Sequence, residues 1–199
     1  MRNFVLRNIC DCTIEQQLRV LEIRNNDAVR TSMYTEHMIS PDEHLAYIER
    51  LRADDRQQVL IVLRDGDTAA GVVSVNEIDM LHKKCDWAFY LDESARGGVG
   101  SALELFMLDY VFETLNLDKL NCEVIETNPN VVAMHKKFGF VEEGLRRANI
   151  EKNGKRIGVY FLGITKSEWL GSRDRVREAM AAKVSDINIK LSDQTKSES

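Results

Sequence analysis

The chain has 199 residues, of which 44% are hydrophobic and 30% are charged, and its net charge at pH 7 is −5. This length and composition predict one globular domain with its own core, and they argue against nucleic acid as a partner because phosphate contacts need clustered Lys and Arg. No apolar run is long enough for a membrane span or a secretory signal, so we expect a cytoplasmic protein without a membrane partner.

The first part of the chain predicts one strand, two helices and three further strands. Two helix starts carry capping residues: Thr13 with Gln16 at the capping-box position, and Ser40 followed by Pro41. Turns at 65–67 and 82–84 separate the last three strands. The predicted ranges are 3–9 for the first strand, 13–26 and 41–53 for the helices, and 58–64, 69–78 and 85–91 for the later strands.

The second part predicts a helix over 99–115, a strand over 119–126, a helix over 129–137 and a hairpin with strands 141–151 and 155–164. The resulting order, β-α-α-β-β-β-α-β-α-β-β, predicts a mixed-sheet α/β domain with antiparallel and parallel strands, flanked by helices. We expect this domain to span residues 1–170. The remaining residues, 171–199, are charged and polar, and they predict a peripheral helix with a disordered tail.

A glycine-rich turn lies between a strand and the longest helix. Residues 96–101 are Arg96, Gly97, Gly98, Val99, Gly100 and Ser101. Glycines allow a ligand to approach the backbone, and the start of a helix presents N–H groups and partial positive charge, so the turn predicts a diphosphate site. A turn that needs glycine only for its own conformation stays open as an alternative. The Gly-Lys-Ser/Thr of an NTPase P-loop is missing.

The cysteines do not predict a metal site. Cys10 and Cys12 are close in sequence, but no second Cys/His pair completes a tetrahedral set of ligands. We therefore expect reduced thiols and no metal.

A second motif follows the glycine-rich turn: Asn128, then His135, Lys137, Gly139 and Phe140. Together with the turn, this spacing resembles the GNAT acetyltransferases. The resemblance implies acetyl-CoA as co-substrate, with its pantetheine arm between two splayed strands, 86–91 and 119–126. The cofactor-binding residues that it implies are Phe89, Tyr90, Leu91, Arg96, Gly97, Gly98, Val99, Gly100, Ser101, Asn128 and Lys137.

The resemblance also implies the chemistry, which is direct attack of an amine on the thioester. Coenzyme A leaves as a thiolate, and His135 stands where most relatives have a Tyr that protonates it. An imidazolium can donate this proton, so His135 is the candidate general acid. The alternative is that His135 is a packing residue or a solvent-exposed residue of the helix. Ala95 is a second departure, since many relatives have Gln or Arg there.

The N-terminal part resembles one GNAT subgroup, the N-acetyltransferases of pseudaminic acid synthesis, whose product serves flagellin glycosylation. That similarity implies transfer to the 4-amino group of UDP-4-amino-4,6-dideoxy-N-acetyl-β-L-altrosamine. The UDP-sugar contacts that it implies are Arg24, Met33, Tyr34, His44, Asn76, Glu77 and Tyr90.

Other interpretations stay open at this point. Arg24 could complement a helix dipole, His44 could be a satisfied helix residue, and Met33 could be core. The chain could instead acetylate protein N-termini, such as those of ribosomal proteins, or a polyamine, or bind acetyl-CoA without catalysis. The sequence indicates no general base, and it leaves a homodimer open.

Overall fold

The computed structural model describes residues 1–95 and 97–192. Eight strands form one mixed sheet in the order β6-β7-β5-β4-β3-β2-β1-β8. The strands are β1 (Arg2–Asn8), β2 (Gln58–Arg64), β3 (Thr68–Asp79), β4 (Lys84–Leu91), β5 (Lys119–Ile125), β6 (Val141–Lys152), β7 (Lys155–Thr165) and β8 (Ile187–Leu191). The helices are α1 (Ile14–Asn25), α2 (Asp27–Arg30), α3 (Pro41–Leu51), α4 (Val99–Asp109), α5 (Pro129–Lys137) and α6 (Lys166–Val184).

The sheet has a hydrophobic core on each face. Successive residues of β2 alternate between the two cores, because side chains of a strand point to opposite faces in turn. Leu60 and Val62 belong to the larger core, which contains apolar residues of α4, α5 and α6, whereas Ile61 belongs to the smaller core with α1 and α3. β2 is therefore buried on both sides, which explains its unbroken apolar sequence.

The predicted mixed α/β fold is confirmed, and the predicted helix starts hold in detail. Thr13 and Gln16 form a capping box at α1, and Ser40 forms another at α3 with Glu43. The helix predicted over 99–115 ends as an α-helix at Asp109 and continues as a π-helical turn, Tyr110–Thr114. The short helix α2 was not predicted.

The C-terminal part differs from the sequence-based expectation. The predicted boundary at residue 170 falls inside α6, whose Trp169 is fully buried and donates from its indole N–H to Asp109 at 3.0 Å. The segment expected to be a tail contains β8, which pairs in parallel with β1. Residues 193–199 lie outside the described residues. Within the described part of the chain, no helix is long and apolar enough to cross a membrane.

The two strands at the centre of the sheet separate along their length. β4 and β5 run in parallel, but they pair only from Lys84 with Lys119 to Asp86 with Asn121. Beyond that point β4 continues to Leu91 and β5 to Ile125 without pairing to each other. The predicted splay is therefore present, and it opens the sheet at its middle.

Candidate active site

A cleft of about 650 Å³ occupies the gap between the splayed strands. Because side chains alternate along a strand, the cleft has residues from both faces of the sheet. On the face of α4 and α5, which we call the α5 half, it is lined by Trp87, Phe89, Cys122, Asn128, Val131 and His135. On the face of α1 and α3, the α1 half, it is lined by Arg24, Met33, Tyr34, Ser74, Asn76, Asp86, Tyr90 and Glu123.

The glycine-rich turn stands at the start of α4, beside the α5 half. Gly98 is the N-cap residue with φ of 96°, and the first helical hydrogen bond is donated by the amide of Ala102 to its carbonyl. The amides of Val99, Gly100 and Ser101 therefore lack partners within the helix, as at any helix start. A Cβ built on Gly100 would lie 3.4 Å from the ring of Phe89, so the turn adjoins the cleft wall.

Residue 98 must be a glycine for two reasons: its φ angle is positive, and the C-terminal segment leaves no room for a Cβ. A Cβ there would lie 2.4 Å from the carbonyl oxygen of Lys183, at the end of α6. Gly97 is more open, with only Arg2 near a built Cβ, at 3.7 Å, and Arg2 donates to the carbonyl of Gly97 at 2.6 Å. A ligand therefore has more room at Gly97 than at Gly98. Arg96, predicted to contact phosphate, lies outside the described residues.

Of the remaining predicted cofactor residues, the structure places four at the cleft and one away from it. Phe89, Tyr90, Leu91 and Asn128 line the cleft. Asn128 is the N-cap of α5, and its side chain makes no capping hydrogen bond, so the amide is available to a ligand. Lys137 is exposed in the last turn of α5 and is not among the residues that line the cleft.

His135 forms a buried pair with Glu104, a residue that the sequence analysis did not single out. Its Nδ1 lies 2.7 Å from Oε1 of Glu104 on α4, and the two side chains are 5% and 0% exposed. The imidazole packs against the rings of Trp87 and Phe140. Burial raises the pKa of Glu104, and the hydrogen bond from His135 opposes that rise.

Arg24 is the cation of the α1 half. It lies in the last turn of α1, and its Nη1 is buried without a hydrogen-bond partner among the described residues. Burial lowers the pKa of this guanidinium, and the neighbouring Tyr90 opposes that shift. A buried donor without a partner is costly, so Arg24 is placed to meet an acceptor in the cleft.

Two carboxylates share the α1 half with Arg24, and sequence reasoning missed both. Asp86 accepts from the amide of Asn121 at 2.9 Å, and Glu123 accepts a short hydrogen bond from the hydroxyl of Tyr34. Burial, followed by Glu123, raises the pKa of Tyr34. Asp86 and Glu123 alternate with core residues on two strands that splay, and this pattern could have identified them.

The segment of residues 31–36, which we call the acceptor loop, is held by the β6–β7 hairpin. Lys152 is buried, and its ammonium donates to the carbonyls of Thr31 at 2.6 Å and Met33 at 2.7 Å. Glu36 lies 3.5 Å from the same ammonium. Lys152 therefore fixes the loop that brings Met33 and Tyr34 into the cleft wall.

His44 and Glu77 are predicted to face the acceptor, but the structure places both outside the cleft. His44 is buried between helices, where its Nε2 donates to the carbonyl of Gln17 at 2.9 Å, and burial lowers its pKa. Glu77 is exposed and forms an ion pair with Arg56. Asn76 does line the cleft, and its amide donates to Ser74 at 2.9 Å.

Residues 6–141 match the family model of the acetyltransferase (GNAT) domain. The chain belongs to the GNAT acetyltransferases. It is therefore an enzyme that transfers acetyl groups from acetyl-CoA to amines, as its glycine-rich turn and splayed strands also indicate.

Among the described residues, no group of three or more His, Cys, Asp or Glu side chains could hold a metal ion.

Proteins similar to this GNAT acetyltransferase include a spermidine acetyltransferase and the acetyltransferase PseH. The chain is 27% identical over 155 residues to spermidine N(1)-acetyltransferase of Vibrio cholerae, and the alignment covers 77% of this chain and 90% of the relative. It is 25% identical over 135 residues to acetyltransferase PseH of Campylobacter jejuni, with 68% and 83% covered. A crystal structure of the Vibrio cholerae spermidine enzyme with CoA and spermine superposes with a TM-score of 0.77 at 25% identity, covering 84% of this chain and 98% of that one.

Proposed function

We propose that this acetyltransferase acts on the amino group of a nucleotide-linked aminosugar in the cytoplasm. The specific acceptor is the 4-amino group of UDP-4-amino-4,6-dideoxy-N-acetyl-β-L-altrosamine, as in pseudaminic acid synthesis. The similarity to PseH supports this substrate. Four cysteines without disulfides agree with a reducing compartment.

The observation that carries the proposal is the buried Nη1 of Arg24 in the α1 half, which has no hydrogen-bond partner among the described residues. A diphosphate supplies the anionic oxygens that a guanidinium prefers, in a forked geometry that Lys cannot match. Tyr34, Met33 and Tyr90 provide apolar and aromatic surface beside it for a sugar or a base. A polyamine has no anionic group and would leave Arg24 opposite a second cation.

In the proposed arrangement, acetyl-CoA lies in the gap between β4 and β5, with its diphosphate at the amides of Val99–Ser101. Trp87 supports this assignment, because this residue lines the cleft and its indole N–H is buried without a partner among the residues described. That donor suits an amide carbonyl of the pantetheine arm. Asn128 supplies a second polar contact at the start of α5.

The proposed reaction is direct aminolysis across the two halves of the cleft. The acceptor nitrogen bonds to the thioester carbon, and a backbone N–H of β4 beyond the splay stabilises the charge on the carbonyl oxygen. The C–S bond breaks, and His135 gives its proton to the departing thiolate. Asp86 and Glu123 hold the amine in the α1 half, and its proton passes to a bound water.

A polyamine is the second candidate acceptor, and the two carboxylates favour it. Asp86 and Glu123 in the α1 half are carboxylates, which are suited to bind the ammonium groups of a polyamine. The similarity to spermidine acetyltransferases supports this alternative at comparable identity. Arg24 is the feature that a polyamine leaves unexplained.

The test is an acceptor panel with acetyl-CoA and free thiol as the readout. The acceptors are the UDP-4-aminosugar, spermidine and a peptide that begins with Ser or Ala. We expect turnover with the nucleotide sugar, and we expect Arg24→Met to lower kcat/KM for it. Turnover of spermidine or peptide alone would refute the proposed substrate.

A further inference from the structure

The buried pair of Glu104 and His135 has no structural role that requires a charge. Glu104 lies in the middle of α4, within an apolar sequence, and its Oε1 is 2.7 Å from Nδ1 of His135 on α5. Its second oxygen, Oε2, is buried and has no partner among the described residues. An apolar side chain would satisfy the surrounding core at less cost, because burying a carboxylate is unfavourable unless it is fully paired.

The hydrogen bond fixes the orientation of the imidazole. Because Nδ1 faces Glu104, the other nitrogen, Nε2, is on the opposite side of the ring, and His135 lines the cleft between β4 and β5. Trp87 and Phe140 pack against the ring, with centroid distances of 5.6 Å and 5.2 Å. The imidazole therefore has one nitrogen bound inside the protein and one available to the cleft.

Few other charges act on the pair. Burial raises the pKa of Glu104, and His135 followed by Lys183 at the end of α6 opposes that rise. Cys122 on β5 is a thiol whose pKa is raised well above its ordinary value by burial and by Glu104, so it stays neutral. Asp86, Glu123 and Glu143 also raise the pKa of Cys122.

We propose that Glu104 is a positioning residue for the acetyl transfer, holding His135 by Nδ1 as an imidazolium whose Nε2 proton points to the leaving sulfur. This inference rests on the proposed role of His135 as the general acid. It is independent of which amine is the acceptor.

The proton balance of the step is complete without another reactant. The C–N bond forms, the C–S bond breaks, and the electron pair left on sulfur takes the proton from Nε2. His135 is then neutral, with its Nδ1 proton still donated to the carboxylate of Glu104. The amine releases one proton to solvent, and the imidazole takes one proton from solvent before the next cycle.

The role of Glu104 explains how a histidine can serve at this position. A free imidazole has a pKa of about 6.5 and is mostly neutral at pH 7.5, whereas a phenol, with a pKa of about 10, carries its proton without help. A carboxylate that accepts from Nδ1 stabilises the imidazolium by its charge and by the hydrogen bond. A tyrosine at residue 135 would not need this carboxylate.

The central experiment compares Glu104→Gln in two backgrounds, wild type and His135→Tyr. In the wild-type background we expect Glu104→Gln to lower kcat about ten-fold at pH 8, a part of the 10²–10⁴ of general-acid catalysis. The alkaline limb of the pH profile should move to lower pH. Coenzyme A affinity by calorimetry should change less than about two-fold, because Glu104 is fully buried and is not among the residues that line the cleft. In the His135→Tyr background, Glu104→Gln should leave kcat nearly unchanged.

The outcomes separate this inference from the proposed function. If Glu104→Gln leaves the pH profile unmoved, or lowers kcat equally in both backgrounds, Glu104 serves packing and the inference is refuted. If His135→Ala leaves kcat unchanged, the proposed role of His135 fails as well.

A measurement on the wild-type protein covers the case in which Glu104→Gln does not fold. Nitrogen-15 NMR of the imidazole should show Nδ1 protonated and hydrogen-bonded to the carboxylate of Glu104. A neutral ring whose only proton is on Nε2 would refute the inference.

Discussion

Replacing Arg24 by Met should separate stability from function. The Nη1 of Arg24 is buried without a partner among the described residues, and an unsatisfied buried donor costs about 1–3 kcal/mol. Methionine keeps most of the apolar stem that packs at the end of α1. We therefore expect the free energy of unfolding of Arg24→Met to be unchanged or higher by about 1–2 kcal/mol, which follows from the penalty removed.

The same substitution should weaken acceptor binding. A hydrogen bond to a charged group contributes about 1.5–3 kcal/mol, and a factor of ten in affinity corresponds to about 1.4 kcal/mol. The KM for a diphosphate-bearing acceptor should therefore rise about 10- to 100-fold. The KM for acetyl-CoA should stay the same, because Arg24 lies in the α1 half.

Urea unfolding and steady-state kinetics at saturating acetyl-CoA measure the two effects. Arg24→Lys is the matched control, since it keeps a positive charge and loses the forked geometry, and its acceptor KM should lie between the other two. A large loss of stability in Arg24→Met together with an unchanged acceptor KM would show that Arg24 supports the fold, and the reasoning would be refuted.

Three further predictions follow from other contacts. Lys152→Met should raise the acceptor KM and lower stability by about 1–3 kcal/mol, because two carbonyls of the acceptor loop lose their donor; an unchanged thermal midpoint would contradict this. Gly98→Ala should destabilise the protein by about 2 kcal/mol or more. Gly171→Ala is the control, because a Cβ at Gly171 would have no atom within 4 Å, and it should not destabilise the protein. Equal midpoints of the two variants in differential scanning calorimetry would contradict the close packing of Gly98 against Lys183. Burial lowers the pKa of His44, so at low pH the unfolded chain binds a proton more readily than the folded protein does. The free energy of unfolding should therefore fall as the pH drops below about 6.5. Urea unfolding at pH 7 and pH 5 should show a smaller loss of stability for His44→Gln.

The sequence predicted the elements whose signals are local. Thr13 with Gln16 and Ser40 with Pro41 mark helix starts by hydrogen bonds within one turn, so the bounds of α1 and α3 were predictable to within two residues. β8 shows the limit of this reasoning. Ile187–Leu191 alternates apolar and polar residues, as a strand does, but its partner β1 is far away in sequence and its flanks are highly charged.

The candidate site divides in the same way. His135 and Arg24 were indicated by resemblance to a family, and both line the cleft. Glu104 could not be found from the sequence, because an acid in an amphipathic helix normally faces solvent, and its burial depends on how α4 packs against α5. Lys152 was missed for a similar reason, since the carbonyls that it contacts are more than a hundred residues away in sequence.

Both halves of the cleft contain a buried side-chain donor that has no hydrogen-bond partner among the described residues. Four buried side-chain atoms lack a hydrogen-bond partner in the part of the chain that the structure describes, on Arg24, Arg30, Trp87 and Glu104. Arg24 and Trp87 line the cleft from opposite faces of the sheet, and Glu104 contacts His135, which lines it too. A fold selected for stability alone would satisfy such groups, because each costs about 1–3 kcal/mol. Arg24 and Trp87 lie at the splay of β4 and β5, where a bound ligand can complete their hydrogen bonds. Saturating coenzyme A should therefore raise the melting temperature of wild type more than that of Trp87→Phe.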